Sequence, residues 1–154
     1  GKNLSRDPER TPMQWDDSTN AGFSRGEPWL RIDRSFIRRN VQAQRGDNHS
    51  PLVLYKKLIT LRQRELSLNT GAYRPVFSDH QMIAYIRQAE DQPAFLVVLN
   101  LTHRPCYFTP PMRFTGVIVI DTLPEQEQVP VKDKIELFGD EGMVVKLDDV
   151  HRMS

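Results

Sequence analysis

The stretch from residue 6 to residue 24 restricts most strongly the fold that this chain can adopt. It contains Pro8 and Pro12. Because proline fixes φ and lacks an N–H donor, neither a helix nor a central strand can run through residues 8–12. The stretch also carries Met13, Trp15 and Phe23, large apolar side chains that are costly to leave in water. We therefore expect a long ordered loop in which these side chains pack as anchors.

Length and charge exclude several classes of protein. A chain of 154 residues suits one domain, or one domain and part of another, whereas a complete (β/α)8 barrel needs about 250 residues. The net charge of +1 gives no general attraction to nucleic acid. No apolar run reaches the ~18 residues of a membrane span, and no signal-like N-terminus is present. We expect Gly1 to mark a cut in a longer chain.

Cysteine and histidine give no indication of a metal or redox centre. Cys106 is the single cysteine, so no intrachain disulfide can form, and we expect a reducing, cytoplasmic location. Beside Tyr107 and Phe108 it is expected to be a structural strand residue and not a catalytic thiol. Neither a metal nor another cofactor is expected, because none of the four histidines has metal-ligand spacing: His49, His80, His103 and His151.

Residues 50–66 predict an amphipathic helix. Ser50 is a good N-cap, and Pro51 occupies the first helical position, where its missing N–H costs nothing. Leu54, Leu58 and Leu61 recur at helical spacing and form an apolar face. We expect much of this apolar face to be exposed or re-packed in the isolated chain and to favour self-association.

After Leu66 the pattern changes to seven short strands, which is typical of an antiparallel β-sandwich of Greek-key type. Residues 122–132 are expected to form an exposed loop, and the tail after Leu147 is expected to fray. The predicted strands are Tyr73–Phe77, Met82–Ile86, Ala94–Leu101, Cys106–Phe108, Thr115–Asp121, Ile135–Phe138 and Gly142–Leu147.

The irregular N-terminal stretch also carries a recognisable motif. Residues 6–16 read Arg-Asp-Pro-Glu-Arg-Thr-Pro-Met-Gln-Trp-Asp, followed by Asn-Ala-Gly-Phe-Ser at 20–24 and Pro-Trp-Leu at 28–30. This pattern resembles the α-glucosidases of the α-amylase superfamily (glycoside hydrolase family 13, oligo-1,6-glucosidase and maltase type). Supporting similarity continues to Gly-Asp-Glu-Gly at 139–142. In that family the first stretch is the loop after the eighth barrel strand.

The resemblance implies a mostly β chain that begins inside an incomplete (β/α)8 barrel. Residues 1–66 would be the end of the catalytic barrel, comprising the loop after strand eight and helix eight. Residues 67–154 would form the C-terminal β-sandwich domain. The N-terminal barrel portion would then be a missing partner of this chain.

The resemblance places the catalytic carboxyl groups outside this chain. Retaining glycosidases need two carboxyl groups about 5–5.5 Å apart, and in the family these lie on barrel strands that precede residue 6. No catalytic residue is therefore expected here. The adjacent pairs Asp16–Asp17 and Asp148–Asp149 are expected to be turn or cap residues, because neighbouring side chains on a strand point apart.

Arg10 is the one site residue that the resemblance carries over. Its family counterpart, just before Thr-Pro-Met-Gln-Trp, hydrogen-bonds the non-reducing glucose. A guanidinium has five donors in a fixed fork and can hold a sugar hydroxyl and a carboxylate together. The alternative is a surface arginine paired with Asp7 or Glu9. Trp15 is open to two interpretations, a sugar platform or the anchor of the loop.

Several functions remain open at this point. The resemblance favours the C-terminal fragment of a retaining α-glucosidase that hydrolyses terminal α-linked glucose from short oligosaccharides and is inactive alone. A trehalose synthase-like transglycosylase or isomerase shares the loop. A β-sandwich without hydrolysis, acting in structure, interaction or carbohydrate binding, is the third hypothesis. The expected substrate is an α-glucoside oligosaccharide, with no nucleic acid and no membrane as partner.

Two surface features have simple interpretations. Asn100-Leu101-Thr102 matches a glycosylation acceptor, which we treat as chance because it ends an apolar strand. A run of arginines is expected to be a solvated face, with an anion or RNA patch as the alternative. Its members are Arg25, Arg31, Arg34, Arg38, Arg39 and Arg45.

Overall fold

The computed structural model describes the backbone of residues 10–152 and the side chains of residues 10–148. The chain divides into two compact units, one extending to Leu54 and the other beginning at Tyr55. The expectations for residues 6–9 lie outside the described residues.

The first unit is mostly irregular, as predicted. It contains two short 3-10 turns, Thr19–Gly22 and Arg34–Ile37, and the short helix α1, Val41–Arg45. The longer helix α2, Pro51–Arg64, begins in this unit. Ser50 lies just before it and is 3% exposed. Its hydroxyl accepts a hydrogen bond from the N–H of Val53 at 3.2 Å, which confirms the predicted N-cap.

Helix α2 ends at Arg64, two residues before the predicted end. Glu65 has extended dihedral angles, φ −107° and ψ 108°, and it separates α2 from the short helix α3, Leu66–Asn69. No side chain of α2 is buried. Large apolar side chains of the second unit are exposed along α2 and at the start of α3, as predicted. We call them the apolar stripe: Tyr55, Leu58, Ile59 and Leu66.

The second unit is built mainly from antiparallel strands. The strands among the described residues are β1 Ala72–Ser78, β2 Met82–Gln88, β3 Phe95–Asn100, β4 Cys106–Phe108, β5 Met112–Asp121, β6 Pro130–Lys132, β7 Ile135–Leu137 and β8 Gly142–Arg152. The six-stranded sheet has the order β1-β2-β3-β8-β5-β6, while β4 and β7 pair separately. This confirms the mostly β fold, and the Greek-key connection stays a prediction.

Two details of the strand prediction are wrong. Residues 122–129 form the predicted loop with a 3-10 turn at Pro124–Gln126, but residues 130–132 form β6, which pairs with residues 115–117 of β5. Pro130 favours a loop or the edge of a sheet over a central strand, and β6 lies at the sheet edge, where proline is tolerated. The tail after Leu147 does not fray within the described residues. It continues β8 to Arg152, which pairs with Met112, because β5 begins three residues earlier than expected.

The core lies between the two sheets. Side chains such as Leu96, Ile118 and Val145 of the large sheet join Phe108 and Leu137 of the small one in a single buried cluster. Burial of each such side chain contributes about 1.5–3 kcal/mol, so this cluster is the main source of stability for the unit. Strand β3 is buried on both faces over most of its length, in line with its nearly continuous apolar sequence. None of the helices within residues 10–152 has the length and apolarity to cross a membrane.

Candidate functional site

The loop that follows Arg10 is held by backbone hydrogen bonds to the start of α1. The carbonyl oxygens of Gln14 and Trp15 accept hydrogen bonds from the N–H groups of Val41 and Gln42, both at 3.0 Å. These two donors belong to the first turn of α1, where N–H groups have no partner within the helix. The loop thus supplies hydrogen-bond acceptors for the N–H groups at the start of α1, and these bonds in turn fix the path of the loop.

Asn40 makes this arrangement rigid. It is 5% exposed, and its side-chain oxygen accepts a hydrogen bond from the N–H of Ala43 at 2.8 Å, which caps α1. Its side-chain nitrogen donates to the carbonyl of Phe36 at 2.7 Å. Since both ends of the buried amide have partners, Asn40 joins the Arg34–Ile37 turn to the helix on which the loop rests.

A tight turn at residues 16–22 closes the loop. The N–H groups of Trp15 and Asp16 both donate to the carbonyl of Ala21, at 2.9 and 3.3 Å. Asn20, Ala21 and Gly22 have φ values of 56°, 55° and 65°. Such left-handed conformations are unfavourable for most residues other than glycine and asparagine. Three consecutive residues with positive φ therefore form an uncommon backbone conformation.

Asp16 is a turn residue, as predicted. One of its carboxylate oxygens accepts hydrogen bonds from the hydroxyl and the N–H of Ser18. These bonds, the hydroxyl first, hold the pKa of Asp16 below its ordinary value. The carboxylate is thus occupied in shaping the turn. The prediction for Asp148–Asp149 is wrong, because both residues lie within β8.

The large apolar side chains of the loop do not pack as the expected anchors. Met13, Trp15 and Phe23 are each about half exposed, at 49%, 47% and 49%. The turn and the α1 terminus, which are held by backbone hydrogen bonds, determine the loop shape instead. The indole of Trp15 therefore remains accessible, and its role as a sugar platform stays a prediction.

A cleft of about 250 Å³ lies beside the loop. It is smaller than the roughly 300–1,000 Å³ of typical ligand pockets, so it has room for part of a ligand. Arg10 is exposed and directly precedes Thr11 in the cleft wall. Polar side chains in the lining come from a threonine, an arginine, an asparagine and two glutamines. The lining residues are Thr11, Pro12, Met13, Gln14, Arg39, Asn40, Val41 and Gln44.

Gln44 is a supporting residue that the sequence did not indicate. Its side-chain oxygen accepts a hydrogen bond from the N–H of Leu52 at 3.2 Å, and its carbonyl accepts one from the hydroxyl of Ser50 at 2.7 Å. These contacts join α1 to the first turn of α2. A glutamine acting across eight residues has no sequence signature, since local capping motifs span three or four.

The other residues singled out in the sequence have structural roles. Asn100 is 3% exposed, and its amide nitrogen donates to the carbonyls of Arg104 and Phe138, which supports the view that the glycosylation motif is chance. Cys106 lies in β4, where burial raises the pKa of its thiol, the opposite of an activated nucleophile. Within the described part of the chain, no three His, Cys, Asp or Glu side chains are placed to hold a metal ion.

The aromatic residues of the second unit are divided between core and surface. Phe95 and Phe108 are buried, as expected for core use. Tyr73 is 59% exposed, with its ring centroid 5.0 Å from that of Tyr85. Tyr107 is also exposed and has the Lys134 ammonium 3.7 Å from its ring centroid. Tyr73 and Tyr107 therefore lie at the surface and not in the core.

Comparison with known proteins identifies the group to which this site belongs. The family model of the alpha amylase catalytic domain matches residues 1–71, which include the loop, α1 and α2. Probable oligo-1,6-glucosidase 2 of Bacillus subtilis (strain 168) is 40% identical over 105 residues, 68% of this chain. The chain belongs to the α-amylase superfamily, glycoside hydrolase family 13.

Other family 13 proteins match beyond the catalytic segment. Maltase 1 of Drosophila virilis is 33% identical over 94% of this chain. The crystal structure of a trehalulose synthase from Pseudomonas mesoacidophila MX-45 superposes on 94% of it with a TM-score of 0.83 and 34% identity. The chain spans 18%, 24% and 26% of the lengths of these three proteins.

Proposed function

We propose that this chain is the C-terminal part of a retaining α-glucosidase that removes terminal α-linked glucose from short oligosaccharides. Residues 1–66 would complete the catalytic barrel, and residues 67–154 would form the terminal β-domain. The main observation in support of this proposal is the loop after Arg10. Backbone hydrogen bonds hold this loop against α1, and both lie within the segment that matches the catalytic-domain model. The single Cys106, which is free, is in line with a cytoplasmic location.

Arg10 would contribute binding and orientation of the substrate. Its exposed guanidinium can donate to a glucose hydroxyl and at the same time to a carboxylate. The nucleophile and the acid/base carboxyl group of a retaining enzyme would come from the preceding part of the barrel. The chain alone is therefore expected to hydrolyse nothing.

The apolar stripe supports a missing partner. Tyr55 is 66% exposed, Ile59 52% and Leu66 54%. Contiguous exposed apolar side chains of this kind mark surfaces that are covered in the complete protein. The N-terminal barrel portion is the occupant that this proposal requires.

The test is hydrolysis of p-nitrophenyl α-glucoside by the full-length parent protein and its variants. Replacing Arg10 by Ala removes a charged hydrogen bond worth about 1.5–3 kcal/mol, so kcat/KM should fall about 10- to 150-fold. Arg10→Lys should recover part of the loss, and Arg25→Ala, another exposed arginine in the same unit, should be unaffected. Wild-type kcat/KM in Arg10→Ala would contradict the role of Arg10. Turnover by the 154-residue chain alone would contradict the absence of a catalytic pair.

A second candidate is isomerisation or transglycosylation. The solved structures that resemble the chain include an isomaltulose synthase from Klebsiella sp. LX3, with a TM-score of 0.81 and 35% identity, beside the trehalulose synthase. Chromatography of the products from maltose and from sucrose separates the two activities. Free glucose as the main product supports the glucosidase, and an isomeric disaccharide supports a synthase. A full-length protein inactive on all these sugars would favour a non-catalytic module.

A further inference from the structure

Two carboxyl groups are buried together where β5 and β8 meet. Asp121 ends β5 and Glu141 immediately precedes β8, and each residue is 1% exposed. The backbone fixes both positions. The N–H of Thr122 donates to the carbonyl of Gly142 at 3.0 Å, and the N–H of Asn100 donates to the carbonyl of Glu141 at 2.8 Å.

The hydrogen bonds available at this place do not satisfy two ionised carboxylates. Asp121 Oδ1 accepts the N–H of Leu123 at 2.8 Å, and Glu141 Oε2 accepts the N–H of Phe138 at 2.6 Å. Glu141 Oε1 has only a long contact of 3.5 Å with the side-chain nitrogen of Gln126. Asp121 Oδ2 is buried and receives no donor at all. Buried polar atoms of this kind are rare in proteins because they are costly.

One proton held between the two carboxyl groups would supply the missing hydrogen-bond donor. An ionised carboxylate only accepts hydrogen bonds, whereas a protonated one also donates. A proton on Asp121 Oδ2 would make this atom a donor to the neighbouring carboxylate of Glu141. It would also remove one of two like charges from a buried place. We propose that Asp121 and Glu141 share one proton and form a proton-binding site that stabilises the β-domain.

The electrostatic surroundings agree with this assignment. Burial, followed by the charge of Glu141 and the hydrogen bond that a protonated carboxyl group can make to it, raises the pKa of Asp121 to about 7, although the Leu123 N–H acts in the opposite direction. Glu127 adds a further negative charge, and its own cationic partner is Lys57, at 2.9 Å.

Other groups close to the pair in sequence or space are a thiol, an amide and Asp140, whose carboxylate pairs with His103 at 2.7 Å. The β4 thiol of Cys106 feels the charge of Glu141, which contributes to its raised pKa. Gln126 and the backbone N–H groups are neutral. Among the described residues no third acidic, histidine or cysteine side chain completes a metal site with the pair. A proton therefore fits the site better than a divalent cation, which requires more oxygen ligands.

The proton site has a defined pH dependence. The folded-state pKa of Asp121 is raised from its ordinary value of 3.8 to about 7, so the folded chain binds more protons than the unfolded chain between these values. The stabilisation is complete below the ordinary pKa and is lost as the pH rises through about 7. Within this window the folding equilibrium constant should fall by up to about tenfold per pH unit.

The first experiment is urea unfolding of the 154-residue chain from about pH 4.5 to pH 8.5, compared with Asp121→Asn. The asparagine keeps an oxygen for the Leu123 N–H and supplies a permanent donor toward Glu141. The pH-dependent loss of stability should therefore be absent from the variant in this window. Histidine titrations cancel in the difference between the two curves. Glu90→Gln, which changes an exposed acid, is the matched control and should keep the wild-type profile.

Infrared spectroscopy of the folded chain gives a readout independent of the variant's stability. A protonated carboxyl band should be present at about pH 5.5 and disappear as the pH rises through about 7. Wild-type chain without this band, or Asp121→Asn with the wild-type pH profile, would overturn the proposal. If Asp121→Asn does not fold, the proposal is tested by the pH profile of Glu141→Gln, which should also lose the pH-dependent change, and by the wild-type infrared spectrum. Stabilisation of the wild type by Ca²⁺ or Mn²⁺ that is absent in the variant would also overturn it, in favour of a cation site.

Discussion

Lys57 of α2 and Glu127, which follows the Pro124–Gln126 turn, form an ion pair with an Nζ–Oε1 distance of 2.9 Å. The ammonium is equally close to the second oxygen of the carboxylate. A second ion pair, between Lys146 of β8 and Glu65 at 3.2 Å, lies next to the end of α2. One ion pair therefore joins α2 to the connection between β5 and β6, and the other joins β8 to the residue that follows α2.

The Lys57–Glu127 pair should contribute modestly to stability. Its side chains are 34% and 22% exposed, so water weakens the attraction, and we expect a coupling of at most about 1 kcal/mol. A double-mutant cycle with Lys57→Met and Glu127→Gln, measured by urea unfolding, gives the coupling energy. It should shrink in about 1 M salt, where screening is strong. A coupling that is unchanged by salt would contradict this account.

Gly22→Ala should open the turn beside the candidate site. Gly22 has φ +65°, and an added Cβ would lie 2.5 Å from a carboxylate oxygen of Asp16. Left-handed backbone costs an alanine about 1–2 kcal/mol, before the steric conflict is included. Amide hydrogen exchange of Trp15, whose N–H bonds Ala21, should therefore accelerate about 5- to 30-fold.

Gly26→Ala is the matched control for this turn. An added Cβ there would have Ser24 Oγ as its nearest neighbour, 4.0 Å away, so the substitution meets open space. Exchange of the Trp15 amide should stay at the wild-type rate. Equal acceleration in both variants would show that the loop responds to any loss of glycine and not to the geometry at Gly22.

Ile59→Lys should reduce self-association of the isolated chain. The side chain is 52% exposed in the apolar stripe, and a charge placed there makes burial against a second copy unfavourable. Light scattering at increasing concentration should show dimers or larger species for the wild type and fewer for the variant. Leu101→Lys, at a position 51% exposed, is the control and should behave as the wild type. A wild type that stays monomeric at high concentration would refute the prediction.

His103 should titrate above the ordinary range for histidine. Its Nδ1 lies 2.7 Å from Asp140 Oδ2, and this hydrogen bond, followed by the charge of the carboxylate, raises the pKa of His103. The stabilising effect is present below the unfolded-state pKa and is lost as the pH rises through the raised value. Its size is small, because the side chains are 92% and 62% exposed. An NMR titration of the ring should show the raised pKa, and Asp140→Asn should return it to the ordinary range.

The sequence predicts the regular elements well because local chemistry determines them. Ser50 and Pro51 define the start of α2, and the run of apolar and aromatic residues from Met82 to Ile86 identifies β2. The same local rules fail to predict a strand that forms only because it pairs with a distant strand. Strand β6 forms around Pro130 only because β5 offers it an edge, which no property of residues 130–132 alone reveals.

The position of the candidate site in the chain can be predicted from the sequence, but the contacts that hold it together cannot. The N-cap Ser50 is recognisable before Pro51, whereas Gln44 has no local signature. The exposure of Trp15 could not be predicted either, since an apolar side chain beside two prolines fits a packed anchor equally well. Asp121 and Glu141 are 20 residues apart and come together only through the pairing of β5 with β8.

The position of β8 has a consequence for how the β-domain folds. In sequence β8 follows all other described strands of its sheet, yet in space it lies between β3 and β5. Strands β1, β2 and β3 can form an early meander from neighbouring segments, while β5 and β6 pair separately. The two halves join only when β8 docks, a step with a high loop-closure cost. Entry of this central strand is therefore the expected rate-limiting event in folding.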